Sequence, residues 1–246
     1  MNTILIMTGI IFSLVVSDLK SSPLPLGDCK RPQPSHDYRH CDFSGRNLSG
    51  VNLSGSILNG VNFQNAKLLD CNLKGALLIG ADLKWASLSG CHASSVDFTD
   101  ADLFHTNLDD SNITDSIFKK AYLFGASLNG VNADRADFSN ANLKDISMEE
   151  SKLTNCNFNN AFMMRAVLIE SDMSNSSFYQ VVLTGAALEY ANFTRADLTG
   201  ALLNGTTLTE TKFHGAKLTN TRFVNARMQS PDFSEVIDPP QDLMLH

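Results

Sequence analysis

An all-β solenoid wound in five-residue steps is the fold class that this sequence predicts, and three observations predict it. From Phe43 to Phe233 a large apolar residue falls at every fifth position without insertion or skipped beat: of these 39 centres, 37 are Leu, Phe, Met or Ile, and two are Ala93 and Ala133. A fifth residue is rotated by about 140° in an α-helix and lies on the opposite face of a strand, so neither element would collect the centres on one side. All 13 glycines between residues 41 and 235 stand two places after a centre, and no proline interrupts residues 41 to 230. The first feature marks a recurrent turn, and the second leaves the backbone N–H groups free to pair along a ladder.

The chain has 246 residues and a net charge of −7. Its acidic balance argues against a nucleic-acid binder, because attraction to phosphate needs clustered Lys and Arg. Residues 4 to 16, ILIMTGIIFSLVV, form an apolar run that is short for a bilayer span and suits the core of a secretory signal. Val15 and Ser17 fit the −3 and −1 positions of a cleavage site, giving a signal peptide over 1–17 and a secreted chain with no membrane span once cleaved. No Lys or Arg precedes the run, which suits a eukaryotic chain better than a bacterial one. Residues 18–40 hold Pro23, Pro25, Pro32 and Pro34 and read as a linker or N-terminal cap. The repeats occupy 41–235, and 236–246 form a short tail.

Within each pentad the residue two before the centre is small, with Arg46, Ile146 and Pro231 as exceptions. One large and one small inward residue per step would fill a narrow interior. If a turn begins at each centre, the glycine position is its third residue, where type II geometry requires φ > 0. Lys120, Arg135, Arg165 and Glu170 fall at the same place, so their corners are expected to adopt another turn type. Phe98, Phe118, Phe138, Phe158 and Phe178 recur every 20 residues, as do Phe193, Phe213 and Phe233, which argues for a 20-residue coil with stacked aromatic ladders.

The segments ADLKW, ADLFH, ANLKD, ANFTR and ADLTG match the pattern A(D/N)LXX, and the chain resembles the pentapeptide-repeat family over residues 41 to 235. The resemblance implies a right-handed quadrilateral β-helix with four pentads per coil. About ten coils at ~4.8 Å spacing would make a rod roughly 45 Å long, whose two ends expose strand edges and need caps.

A 20-residue register assigns each outward residue to one of four walls. The first wall, centred on Phe43, Phe63, Leu83, Leu103 and onward, carries Trp85, Phe104, Tyr122, Phe124, Phe162, Met164, Val182, Leu202 and Val224. An apolar patch of that extent marks a contact surface for a protein partner or a second copy. The second wall carries Asp70, Asp109, Asp110, Glu149, Glu150, Glu170, Glu189 and Glu210 against Lys67 and Arg227. Carboxylates without a shaping loop are weak grounds for a Ca²⁺ site, and a solvated acidic face is expected instead. The third wall holds four sequons, at Asn52, Asn112, Asn175 and Asn192, with two more at Asn47 and Asn204. In a secreted chain these are glycosylation candidates.

Cys71 and Cys91 share an inward column one coil apart and are disulfide candidates, although parallel side chains on neighbouring strands suit that geometry poorly. Cys29 and Cys41 could tie the linker to the first coil. Cys156 remains as a buried thiol. His36, His40, His92, His105, His214 and His246 show no metal spacing, and no nucleophile elbow or phosphate-cradling loop is present. The expectation is therefore a non-enzyme without metal or cofactor: a secreted β-helical binding or assembly module that uses its aromatic wall. The family resemblance implies a rival, a DNA mimic that binds type II topoisomerases in the manner of the gyrase-protecting members. The signal peptide, the confinement of acid to one wall and the proline-broken tail VIDPPQDLMLH depart from that pattern.

Overall fold

A computed structural model describes residues 23–240 and 243 of the chain. The apolar run at 4–16 and the cleavage site after Ser17 lie outside the described residues. The repeats wind into square coils joined by single parallel β-bridges, each at the residue before a centre. From Asp37↔Ile57 to Lys217↔Ile237 every bridge links residues 20 apart, which is the four-pentad coil expected from the phenylalanine spacing.

Each step of the ladder uses hydrogen bonds in both directions. The N–H of a centre donates forward to the next coil, as Phe43 does to the Asn62 carbonyl at 2.8 Å, and the corner residue two places after a centre donates forward as well, as Gly45 does to the Gln64 carbonyl at 2.7 Å. The N–H before a centre donates backward, as Lys67 does to Arg46 at 2.8 Å. Both inward residues of almost every pentad are buried. The aromatic ladder on the fourth wall runs Phe98, Phe118, Phe138, Phe158 and Phe178 with ring centroids 4.7, 4.9, 5.0 and 4.8 Å apart. It then crosses the interior, Phe178 meeting Phe193 edge-on at 5.2 Å, and continues through Phe213 and Phe233 on the third wall. These separations fall in the favourable range for aromatic pairs.

The corners correct one expectation. Lys120, Arg135, Arg165 and Glu170 have φ of 58°, 61°, 56° and 58°, the same left-handed region as the glycine corners. Their turns also close in the usual way, for example Ala121 N–H to the Phe118 carbonyl at 3.0 Å. A left-handed residue costs an L-amino acid roughly 1–2 kcal/mol, and the ladder bonds on both sides of the corner outweigh it. What does vary is how the turn is closed. At 93–96, 128–131, 148–151 and 153–156 a serine on the next coil stands between the turn's N–H and its carbonyl. Ser116 accepts from the Val96 N–H at 3.1 Å and donates to the Ala93 carbonyl at 2.6 Å. Ser151, Ser171 and Ser176 bridge the other three in the same manner. The small inward residue is thus chosen for hydrogen bonding as well as for volume.

Residues 23–40 are an ordered cap rather than a free linker. Gly27 and Asp37 exchange backbone bonds with each other's strand, Gly27 N–H to Asp37 O and Asp37 N–H to Pro25 O, each 2.9 Å. Tyr38 is fully buried over Phe43, and its hydroxyl accepts from the Gln33 N–H and donates to the Gln33 carbonyl. Arg46, too large for its inward column, reaches over the same end, its guanidinium 5.2 Å from the Phe43 ring and bonded to the Cys29 carbonyl. The Arg39 guanidinium and N–H hold the Asp37 carboxyl down to about 2. The structure joins Cys29 to Cys41 and Cys71 to Cys91, with Cα atoms 5.6 and 4.6 Å apart. Cys156 is a buried free thiol, pushed up to about 12 by desolvation. At the other end Ile237 pairs with Lys217 and Leu243 packs against the core.

Gly27 lies flat on the Tyr38 ring, where a Cβ would stand 2.0 Å from a ring carbon. Gly27→Ala is expected to lift the cap at a cost of about 1–3 kcal/mol, read in chemical denaturation and in faster proteolysis within residues 23–40, with the repeats still folded.

Candidate functional site

Outward side chains of the coils are set by the register alone, so a wall collects whatever stands at 20-residue intervals. On the first wall this brings together more than the apolar residues. Trp85 stacks on His105 with centroids 4.5 Å apart and meets the edge of Phe104 at 5.2 Å. Phe104 stacks on Phe124 at 5.7 Å and on Tyr122 at 6.2 Å. His105 touches Phe104 at 4.3 Å and Phe124 at 5.9 Å, both edge-on. The result is one cluster of five rings on three successive coils, with Trp85 55% and Tyr122 38% exposed.

His105 was not singled out by the sequence, because an isolated His two places after a centre carries no motif. The signal that could have found it is its column: it stands directly between Trp85 and Gly125. A Cβ at residue 125 would lie 2.5 Å from the imidazole Cε1, so the glycine makes room for the ring that Trp85 covers. Lys144 extends the cluster, its ammonium 5.4 Å from the Phe124 centroid.

Charged pairs frame the rings. Lys84 bridges Asp82 and Asp102 at 3.1 and 3.0 Å on one side, and Arg165 meets Asp145 at 2.5 Å on the other. An apolar centre with a polar rim is the anatomy of protein interfaces. The rim also divides the wall. Asn142, Lys144 and Asp145 form a polar coil between Phe124 and the next apolar stretch, where Phe162, Met164, Val182 and Leu202 are half-buried. The continuous stripe expected from the sequence is thus two patches, the aromatic one being the larger in rings; Val224 lies exposed beyond the second.

The acidic wall is partly a structural ladder. Asp109 accepts from Asn107 Nδ2 at 3.1 Å, Ser127 Oγ at 2.6 Å and the Asn129 N–H at 2.9 Å. Asn129 accepts in turn from Ser147 Oγ and the Glu149 N–H. Asp110 lies over Gly130, and Asp109, Asp110, Asn129, Gly130, Glu149 and Glu150 line a shallow hollow. Glu150 and Glu170 stand exposed at corners one coil apart, without an ion-pair partner among the described residues. On the third wall Asn52 and Asn112 are exposed, and their Oδ1 atoms accept from the hydroxyls of Ser54 and Thr114. Asn175 is an exposed corner. Asn192 is half-buried and bonded to Asp172 at 3.0 Å. Among the described residues no helix is long and apolar enough to cross a membrane.

Trp85 is the chain's single tryptophan and reports on the cluster. Gly125→Ala is expected to displace His105 and change Trp85 fluorescence as His105→Ala does, and an emission spectrum unchanged in both would contradict the stacking.

Comparison with known proteins bears on the fold. A crystal structure of HetL, a pentapeptide repeat protein involved in heterocyst differentiation regulation from the cyanobacterium Nostoc sp. strain PCC 7120, superposes with a TM-score of 0.61. It is 21% identical and covers 82% of this chain and 90% of that one. Rfr23 from the cyanobacterium Cyanothece 51142 is 21% identical, covering 47% and 90% of the two chains with a TM-score of 0.43. QnrB1, a plasmid-mediated fluoroquinolone resistance protein, is 18% identical over 81% and 96% with a TM-score of 0.38. No curated protein matches the chain in sequence. The model of pentapeptide repeats matches in 8 copies across residues 39–75, 56–92, 81–119, 116–155, 146–185 and 191–229. By that match, and by the coil it folds into, the chain belongs to the pentapeptide-repeat family.

Proposed function

We propose that the chain is a secreted, non-enzymatic binding module that associates with a protein partner, or with a second copy of itself, through the aromatic cluster of its first wall. The observation that carries this reading is the group of five contacting rings, Trp85, Phe104, His105, Tyr122 and Phe124, partly exposed and framed by charged pairs. Tryptophan and tyrosine in such settings dominate binding energy at protein interfaces. Rings that already stack on one another lose little freedom when a partner covers them, which favours association.

Secretion is supported by the apolar run before Ser17, by the two cysteine pairs and by exposed sequons on the wall opposite the rings. Glycans at Asn52, Asn112 or Asn175 would leave the aromatic wall uncovered. Right-handed winding in about ten coils completes the picture, in keeping with the strong right-handed preference of parallel crossovers.

Phe104→Ser with Phe124→Ser is expected to leave the unfolding transition nearly unchanged while weakening association by about 2 kcal/mol or more, about thirtyfold. Sedimentation over a concentration series and capture of partners with the two forms measure it; an unchanged oligomeric state and unchanged capture would overturn the proposal. In eukaryotic culture the chain is expected in the medium, cleaved after Ser17 and reduced in mass by a glycosidase. Retention inside the cell, uncleaved, would remove the extracellular half of the reading.

A further inference from the structure

We infer that Cys29, His40 and Cys41 form a metal site in the cap, which takes Zn²⁺ when the disulfide between the two cysteines is reduced. Their ligand atoms all lie within 4.8 Å of one another, the one such convergence of His, Cys, Asp and Glu among the described residues. His40 Nε2 stands 3.4 Å from Cys29 Sγ and 3.5 Å from Cys41 Sγ. In a tetrahedral zinc site with Zn–N near 2.0–2.1 Å and Zn–S near 2.3 Å, an N···S edge measures about 3.5 Å. Two of the three edges of the ligand triangle are therefore already in place. Only the sulfur–sulfur edge has to open, to about 3.8 Å on the same geometry, and the Cα separation of 5.6 Å permits that by side-chain rotation.

The cap holds this arrangement by bonds that do not involve sulfur. Arg46 grips the Cys29 carbonyl, Gly27 pairs with Asp37, and the Cys41 N–H closes the turn on the Tyr38 carbonyl at 2.8 Å. Reduction thus frees two thiols without releasing the segments that carry them. A dithiol supplies the electrons: it is oxidised to its own disulfide as Cys29–S–S–Cys41 becomes two thiols. Zn²⁺ then displaces the two thiol protons and binds two thiolates and the neutral imidazole. Two soft sulfur ligands and one nitrogen select Zn²⁺ over Mg²⁺ or Ca²⁺. His40 is exposed, so the fourth position faces solvent and takes water. Disulfide and metal exclude each other, and either one fastens the Cys29 segment to the first coil. The chain would in this way keep its N-terminal end closed on both sides of a redox boundary.

The test uses the full chain, reduced with a phosphine and titrated anaerobically with Co²⁺ and then Zn²⁺. One equivalent of Co²⁺ is expected to bind with thiolate-to-cobalt charge-transfer and tetrahedral visible bands, and to be displaced by Zn²⁺; the oxidised chain should give neither signal. His40→Ala should keep its reactive thiols but bind Zn²⁺ at least about tenfold more weakly, and Cys29→Ser should lose the charge-transfer band. Cys71→Ala with Cys91→Ala, whose alanines suit that column, should bind as the natural chain does. No Co²⁺ or Zn²⁺ uptake by the reduced chain would overturn the inference, as would undiminished affinity in His40→Ala.

Discussion

The rest of the structure depends on one constraint: each coil must close in 20 residues so that every wall's N–H and C=O groups meet those of the coil before and after. A single insertion would shift all later pairs off their partners. Because the coil is square, four corners per turn must each bend the chain through about a right angle within two residues, and the third residue of each is driven to positive φ. The energetic weight lies in the ladder. A modest net gain per backbone hydrogen bond, of order 1 kcal/mol, is repeated at every step, and it overrides the cost of placing Lys120, Arg135, Trp85 or Glu170 in the left-handed region.

The same closure makes the interior narrow, and narrowness explains the pairing of one large and one small inward residue. It also explains the serines. Ser116 and Ser176 sit close enough to the previous turn to stand inside its hydrogen bond, where alanine would leave the turn to close directly. Outward positions carry no such constraint, so the walls are free to diverge. That freedom places five rings on one wall and a carboxylate ladder on the next. It also means that chemistry on this molecule is organised by columns, along which residues 20 apart touch.

The rod's ends set the second problem, since an uncovered coil is an open strand edge. The N-terminal segment answers it with Tyr38 as an aromatic lid, Arg46 folded across the opening, and a backbone pair between residues 25–27 and 37. Cys29, His40 and Cys41 converge as a by-product of that fold-back: residues 29 and 41 are neighbours only because the chain returns on itself over the first coil.

Much of this was legible from the amino acids. The beat of 39 centres, the glycine column and the phenylalanines at 20-residue spacing determine the coil, the inward residues and the membership of each wall, because a strict period leaves one register. Trp85, Phe104, Tyr122 and Phe124 could be placed on one wall for that reason. Tertiary structure alone decided what is not periodic. The cap between residues 23 and 40 has no repeat, and its prolines read equally well as a linker. His40 carries no motif and acquires its role from Cys29, brought beside it by the fold-back of the cap; His105 lies in the periodic column of Trp85 and Gly125, and the folded coil adds the ring contact itself. The polar stretch at 142–145 that interrupts the apolar stripe is, by contrast, written in the period itself, since Asn142 and Lys144 stand where neighbouring coils carry Tyr122, Phe124, Phe162 and Met164. Periodicity specifies where each residue points, whereas distance between side chains depends on the closed coil and on what packs across its ends.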